Sequence, residues 1–396
     1  MSQIVERLKE AIGKTDLDAV LALSPENFYY ASGAPSYILY TGRVAGLAIV
    51  VIPREESLDP IMIINDFEEE EIRRQTFIRD IRTYPMWVDI DTGEEATEEA
   101  EQEHKAESIN PMDIVNLLEG ALKDLNLTEG TIGVETLFVQ SLIMDLIKGK
   151  FPKMRFADCA SVFYEARSVK TDKEVEHLRN AAEIAEKGIL KAVEEPVQGA
   201  TEEDIVKRYQ LEVIRDPRST GYRHAIINIG EYFSPTYFPR KNPAKAGDLI
   251  KFDVGADCRG YGSDIGRTFV VKEAMSKQVR IHRALLKAHN AALEKVKPGV
   301  KMSDVFKTGQ RAARQEGLTR YTRGHIGHSI GLDLKIEEPP FISPTEEREL
   351  EPGMILCLEL PYYGYGVGAI QIEDMIHVTS DGCEVFTKST KELVEL

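Results

Sequence analysis

The stretch DVGADCRGYGSD carries Asp253 and Asp264 eleven residues apart, on either side of a glycine-rich bend. Further on, GHIGHSIGLD supplies His325 and His328, MILCLELPYY places Glu359 inside an apolar strand, and AIQIEDMIHV does the same with Glu373. A carboxylate embedded in an apolar strand is costly unless it is paired or metal-bound. Taken singly, an Asp or Glu is most often a solvated surface charge. Four carboxylates and an imidazole that converge are a different matter, because neighbouring buried carboxylates repel and raise each other's pKa until cations neutralise them. Such a set suits two divalent metal ions.

Convergence requires elements that bring distant residues together. In DLIKFDVG the period-two rule puts Leu249, Lys251 and Asp253 on one strand face and Ile250, Phe252 and Val254 on the other. Asp264 opens the next strand beyond a bend that includes Gly255, Gly260 and Gly262, so a hairpin returns the chain and sets the two carboxylates side by side. TDKEVEHLRNAAEIAEKGI opens a helix with Thr171 and Glu174 in capping-box spacing. A second helix is expected at TEEDIVKRYQLEVI and a third through VRIHRALLKAHNAALEKV, with strand-like AIINIG, DLIKFDVG, DIGRTFVV, MILCLEL and AIQIEDMIHV among and after them. Helices beside hairpin-connected strands predict an α+β domain with an antiparallel sheet over residues 163–396. Over residues 1–162, LDAVLALS and VAGLAIVVIP read as buried strands and PMDIVNLLEGALKDLN as a helix, which predicts an α/β domain. No glycine-rich phosphate loop follows its strands.

At 396 residues, two domains are the expectation. The net charge of −17 repels phosphate backbones and anionic lipid, which argues against nucleic-acid and membrane partners. No apolar run is long enough to cross a bilayer, and MSQIVERLKEAIG lacks the pattern of a secretory signal, so a cytoplasmic protein is expected. Cys159, Cys258, Cys357 and Cys383 form no CxxC pair and read as buried free thiols. DIDTGEEATEEAEQEHKAES, residues 89–108, has the composition of a solvated loop or exposed helix.

In order and spacing, DVGADCRGYGSDIGRT, GHSIGL, ELPYY and QIED resemble the pita-bread metallopeptidase family of aminopeptidase P, prolidase and creatinase. LDAVLALSPENFYYASG is similar to the start of that family's N-terminal domain, and VKTDKEVEHLRNAAEIAEKGI to its first catalytic helix. The resemblance implies a creatinase-like α/β domain ahead of a pita-bread domain with a curved antiparallel sheet and flanking helices. It carries the metal ligands over as Asp253, Asp264, His328, Glu359 and Glu373. The ions implied are two of Mn(II), Co(II), Zn(II) or Fe(II), with Mn(II) the first expectation, since this oxygen-rich ligand set does not choose among them. They would share a hydroxide and polarise a carbonyl, with Glu359 as ligand and proton shuttle. A homodimer is also implied.

Three positions depart from the family. Counting from the metal ligands, its two further histidines fall on Thr236 and Lys335, and the arginine of its RIED sequence falls on Gln371. A lysine is a fixed donor and a threonine hydroxyl does not titrate, so Lys335 is expected to stabilise an oxyanion or hold a substrate carboxylate. His224 and His325 are candidates for a replacement imidazole, or else ordinary hydrogen-bonded histidines; Thr236, Tyr237, Lys335 and Gln371 are candidate substrate contacts. The resulting expectation is a metal-dependent hydrolase of an amide C–N bond in a small molecule or short peptide, resembling Xaa-Pro dipeptidases. The alternatives are an enzyme specialised for a non-peptide small molecule, as creatinase and ectoine hydrolase are, and a metal-binding scaffold without catalysis.

Overall fold

The computed structural model describes residues 2–42, 46–88, 107–332 and 337–396. Lys335 and nearly all of the acidic stretch 89–108 therefore lie outside the described residues. The chain divides into two compact units, Met1–Ala166 and Arg167–Leu396.

In the first unit the strands are β1 (Ala19–Ala22), β2 (Ile49–Pro53), β3 (Ile61–Asn65), β4 (Asp80–Tyr84), β5 (Gly130–Val134) and β6 (Met154–Asp158). They form one sheet in the order β4-β3-β2-β1-β5-β6. β1 pairs antiparallel with β2 and parallel with β5. Every residue of β1, β2 and β3 is buried, which is why these runs are apolar throughout instead of alternating. The helices are α1 (Gln3–Gly13), α2 (Pro25–Ser32), α3 (Tyr37–Gly42), α4 (Glu69–Gln75), α5 (Pro111–Asp124) and α6 (Ser141–Lys150), and α7 (Ala160–Ser168) carries the chain into the second unit. Ile114, Val115, Leu118 and Leu122 of α5 enter the core with the sheet. Each such side chain, fully buried, contributes about 1.5–3 kcal/mol.

In the second unit four helices, α8 (Asp172–Glu194), α9 (Glu202–Arg215), α10 (Ser276–Lys295) and α11 (Met302–Gln315), accompany strands β7 (Gly221–Ile229), β8 (Leu249–Cys258), β9 (Tyr261–Gly262), β10 (Ile265–Val270), β11 (Gly327–Ser329), β12 (Glu338–Phe341), β13 (Ile355–Glu359), β14 (Tyr362–Gly364), β15 (Gly368–Ile370), β16 (Glu373–Val378), β17 (Cys383–Val385) and β18 (Val394–Glu395). The main sheet runs β12-β11-β13-β16-β10-β8-β7, with every neighbour along that path antiparallel. This is the α+β pita-bread architecture that the sequence resemblance implies.

α8 begins with the anticipated capping box: the Thr171 side chain accepts from Glu174 N, and the Glu174 carboxylate accepts from Thr171 N. Leu178, Ala182, Ala185 and Ile189 form its buried stripe. α11 was not anticipated, although Val305, Phe306, Gly309 and Ala313 repeat at helical spacing and are buried; its N-cap, Lys301, makes no side-chain cap bond. AIQIEDMIHV, expected as one strand, is two strands in different sheets, β15 and β16. The reason is local: Thr268 of β10 takes both backbone groups of Gln371, donating from Oγ1 to its carbonyl at 3.0 Å and accepting from its N–H at 2.8 Å. A side chain thereby replaces the ladder at that residue.

Candidate metal centre

One rung of the main sheet carries most of the chemistry. Asp253 of β8 pairs with Gly266 of β10, Gly266 with Glu373 of β16, and Glu373 with Glu359 of β13. Residues on a common rung project to the same face. Asp264 immediately precedes β10, and His328 lies on β11 opposite Cys357 of β13. The bend between the aspartates is tighter than the sequence suggests. It is the two residues Arg259 and Gly260, both at positive φ (53° and 83°), between the paired Cys258 and Tyr261. Two consecutive positive φ values are the pattern of a type I′ hairpin. Gly255, expected in the bend, lies within β8, where a Cβ would come 2.0 Å from Ser263 O and 2.8 Å from the His224 ring. Its missing side chain is what lets His224 lie over β8 toward Asp264.

His224, inside β7, brings Nε2 to 3.1 Å from Asp264 Oδ1 and 3.4 Å from Asp253 Oδ1. Carboxylates only accept, so Nε2 carries the proton. Burial works against its charged form, but Asp264 and Asp253 outweigh it and hold the pKa up at about 9. On Asp253, burial opposes ionisation while Lys251 and His224 favour it, and the carboxyl stays well below the usual range. Glu373 moves the other way: burial, reinforced by Asp264, Glu359 and Asp253, raises its pKa well above normal. Glu359 is also raised by burial, against the pull of Arg323, His328 and His325.

His328 is set up as a ligand. Its Nδ1 lies 3.0 Å from the Ser329 carbonyl, which can only accept, so Nδ1 carries a proton and Nε2 is the nitrogen left to meet an ion. That nitrogen faces Asp264 Oδ2 at 3.7 Å and Glu373 Oε1 at 3.9 Å. These separations are too long for hydrogen bonds and close to those that two ligands of one ion keep. Among the described residues no lysine or arginine lies within 4.0 Å of the Asp264 or Glu373 carboxylate. The donor set of two carboxylates and an imidazole, with carboxylates crowded around Glu373, fits a divalent cation. Cys357 Sγ is also near His328 and Glu373. Burial and then the surrounding carboxylates push its thiol well up, so it remains protonated and a poor ligand.

Several site residues carried no recognised signal. Lys251 is buried, with Nζ 2.8 Å from Asp253 Oδ2. Arg323 donates from Nη2 to Glu359 Oε1 at 3.0 Å. Glu337 stands 3.4 Å from His325 Nε2, and His325 Nδ1 is 3.5 Å from Glu359 Oε1. The Glu337 interaction raises the His325 pKa against partial burial. Lys251 was visible as a charge on the Asp253 face of the strand; the other two lie in loops whose course no periodicity reveals. Gln371 belongs to the cluster, donating from Nε2 to Glu373 Oε2 at 2.8 Å. Thr236 and Tyr237 are not brought to it: the Thr236 hydroxyl donates to Phe238 O, and Tyr237 is 91% exposed. Their neighbours Phe233 and Pro235 instead join Ile226, Tyr363, Lys251 and Asp253 around a cavity of about 320 Å³.

Residues 176–380 match the model of metallopeptidase family M24, and residues 4–169 that of the creatinase/prolidase N-terminal domain. An Xaa-Pro dipeptidase from Pyrococcus furiosus is 30% identical over 403 residues, covering 100% of both chains. One from Pyrococcus horikoshii is 27% identical over 407 residues, covering 100% of this chain and 99% of the relative. Among solved structures, an Xaa-Pro dipeptidase from Bacillus anthracis superposes with a TM-score of 0.83 at 23% identity, over 100% of this chain and 99% of that one. The N-terminal domain of a FACT complex subunit from chickpea has a similar fold, with a TM-score of 0.74 at 16% identity over 98% and 97%.

Proposed function

Since the chain belongs to metallopeptidase family M24 and carries a creatinase/prolidase N-terminal domain, we propose that it is a divalent-metal hydrolase that cleaves the amide bond of short Xaa-Pro peptides. The observation that carries this reading is the free Nε2 of His328 facing Asp264 and Glu373 beside the Glu359 carboxylate. Asp264, His328, Glu373 and Glu359 would hold the ion, which when bound supplies Lewis acidity and lowers the pKa of water at the site. The sequence expectation of two ions adds Asp253 to that set.

The chain's own groups do the rest. Glu359, anchored at Oε1 by Arg323, takes a proton from the attacking water and passes it to the leaving nitrogen; its raised pKa suits a group that must both accept and release one. His325, with Nδ1 3.5 Å from Oε1, flanks the same carboxylate and helps to orient it. Ile226, Phe233, Pro235 and Tyr363 offer an apolar wall of a size that takes a proline ring and excludes water around it. Four cysteines without disulfides, three of them buried, support a reducing cytoplasmic setting. A homodimer is part of the same proposal, on family grounds.

A second reading, a non-peptide amide as substrate, is favoured by one observation. Thr236, at the position of a family histidine, turns its hydroxyl onto Phe238 O and so offers no imidazole to a peptide. Proline release from a panel of Xaa-Pro dipeptides and longer peptides, with metal quantified in the same sample, decides between them. Turnover supports the peptidase. Silence from fully metallated protein rules it out and moves the search to non-peptide amides.

A further inference from the structure

Two carboxylates of the rung have a protein cation bonded to them, Glu359 through Arg323 and Asp253 through Lys251. Lys251 stands two residues earlier on the same face of β8, between Asn228 of β7 and Thr268 of β10, and is only 1% exposed. Its Nζ lies 2.8 Å from Asp253 Oδ2 and 5.9 Å from the Tyr363 ring centroid. Among the described residues no other carboxylate is within 4.0 Å of it. The other oxygen, Oδ1, faces His224 Nε2 at 3.4 Å. Both oxygens of Asp253 therefore already face nitrogen groups of the protein, whereas Asp264 Oδ2, Glu373 Oε1 and His328 Nε2 face one another.

We propose that Lys251 takes the place of one of the two metal ions expected from the ligand pattern, so that the site holds a single divalent cation on Asp264, His328, Glu373 and Glu359. The inference rests on the metal-hydrolase reading above. Charge supports it. Two divalent ions would balance four carboxylates, but the Lys251 ammonium, the Arg323 guanidinium on Glu359 and the His224 ring against Asp253 and Asp264 already stand on the positive side, so a second divalent ion would carry the cluster past neutrality. Geometry supports it as well. The ammonium stands 2.8 Å from Asp253 Oδ2, and an ion ligated by that oxygen would lie beside it with nothing between the like charges. Lys251 also lines the 320 Å³ cavity.

The experiment is metal counting. Purified full-length protein is stripped with chelator, loaded with excess Mn(II), dialysed and assayed for manganese per chain by elemental analysis and for spin coupling by electron paramagnetic resonance. The expected result is one ion per chain, magnetically isolated. Lys251→Met, which keeps the stem and removes the charge, is expected to bind two, with the spectrum of a coupled pair. Asp253→Asn, which leaves the proposed ligands intact, is expected to keep one ion with its dissociation constant changed less than about threefold. Two ions in the unmodified protein overturn this inference and leave the metal-hydrolase reading standing. A tenfold or greater loss of affinity in Asp253→Asn also overturns it, and needs no folded Lys251 variant. No bound metal overturns the hydrolase reading itself.

Discussion

Glu359 and Glu373 are direct cross-strand partners in the β13–β16 ladder, two buried carboxylates on one rung. Like charges placed opposite each other destabilise a sheet; burial raises both pKa values, and Asp264 and Glu359 raise that of Glu373 further. A cation between them turns that repulsion into binding. Metal removal is therefore expected to lower the melting temperature at pH 8, where both carboxylates are driven to ionise. Calorimetry of loaded and stripped protein checks it, and equal melting temperatures would count against a metal at this rung.

Replacing Glu359 by Gln keeps the shape and the Arg323 contact but removes the proton acceptor. Turnover is expected to fall by about 10²–10⁴-fold. Far-ultraviolet circular dichroism and the thermal midpoint should stay near those of the parent, so that loss of activity is separated from loss of fold.

Asp374, next to Glu373, is buried and accepts from Arg267 Nη2 at 2.7 Å, with Lys391 Nζ at 3.1 Å. Arg267 also donates to the Glu373 carbonyl at 2.7 Å, which fixes the backbone that carries the site. Asp374→Ala leaves a buried guanidinium without its carboxylate, and a loss of about 3–5 kcal/mol in denaturant unfolding is expected.

Gly255→Ala tests how His224 reaches Asp264. The new methyl would meet Ser263 O and the His224 ring, and backbone cannot yield as a side chain does. A destabilisation of about 1–3 kcal/mol is expected. Displacement of the His224 ring should appear as a changed imidazole resonance and a pKa below about 9 in a proton NMR titration.

His282 of α10 is buried, and burial lowers its pKa to about 4. Between pH 6.5 and 4 the unfolded chain binds a proton there that the folded chain refuses, so stability falls as pH drops through that window. The effect amounts to about 3 kcal/mol at most for this group. His282→Leu should flatten the slope of unfolding free energy against pH; an unchanged slope would assign the acid sensitivity elsewhere.

The sequence alone was enough to identify the family and several of the elements, though not α11 or the break between β15 and β16. Period-two alternation marked β8, the Thr171 and Glu174 pair marked the start of α8, and the order of the Asp, His and Glu motifs carried the family resemblance, because each of these is a local pattern. What the folded chain decided was non-local. Only strand register places Asp253, Glu373 and Glu359 on one rung, and only the missing Cβ of Gly255 lets His224 reach Asp264. Arg323 meets Glu359 across 36 positions of chain through a loop without periodicity. Lys251 was legible as a same-face neighbour of Asp253, but whether its ammonium turned toward the carboxylate or snorkelled to solvent depended on what packs over that face of the sheet. The buried side chain, with the Tyr363 ring 5.9 Å from its ammonium, is held there by tertiary packing that no local pattern encodes, and so the charge was left facing the site.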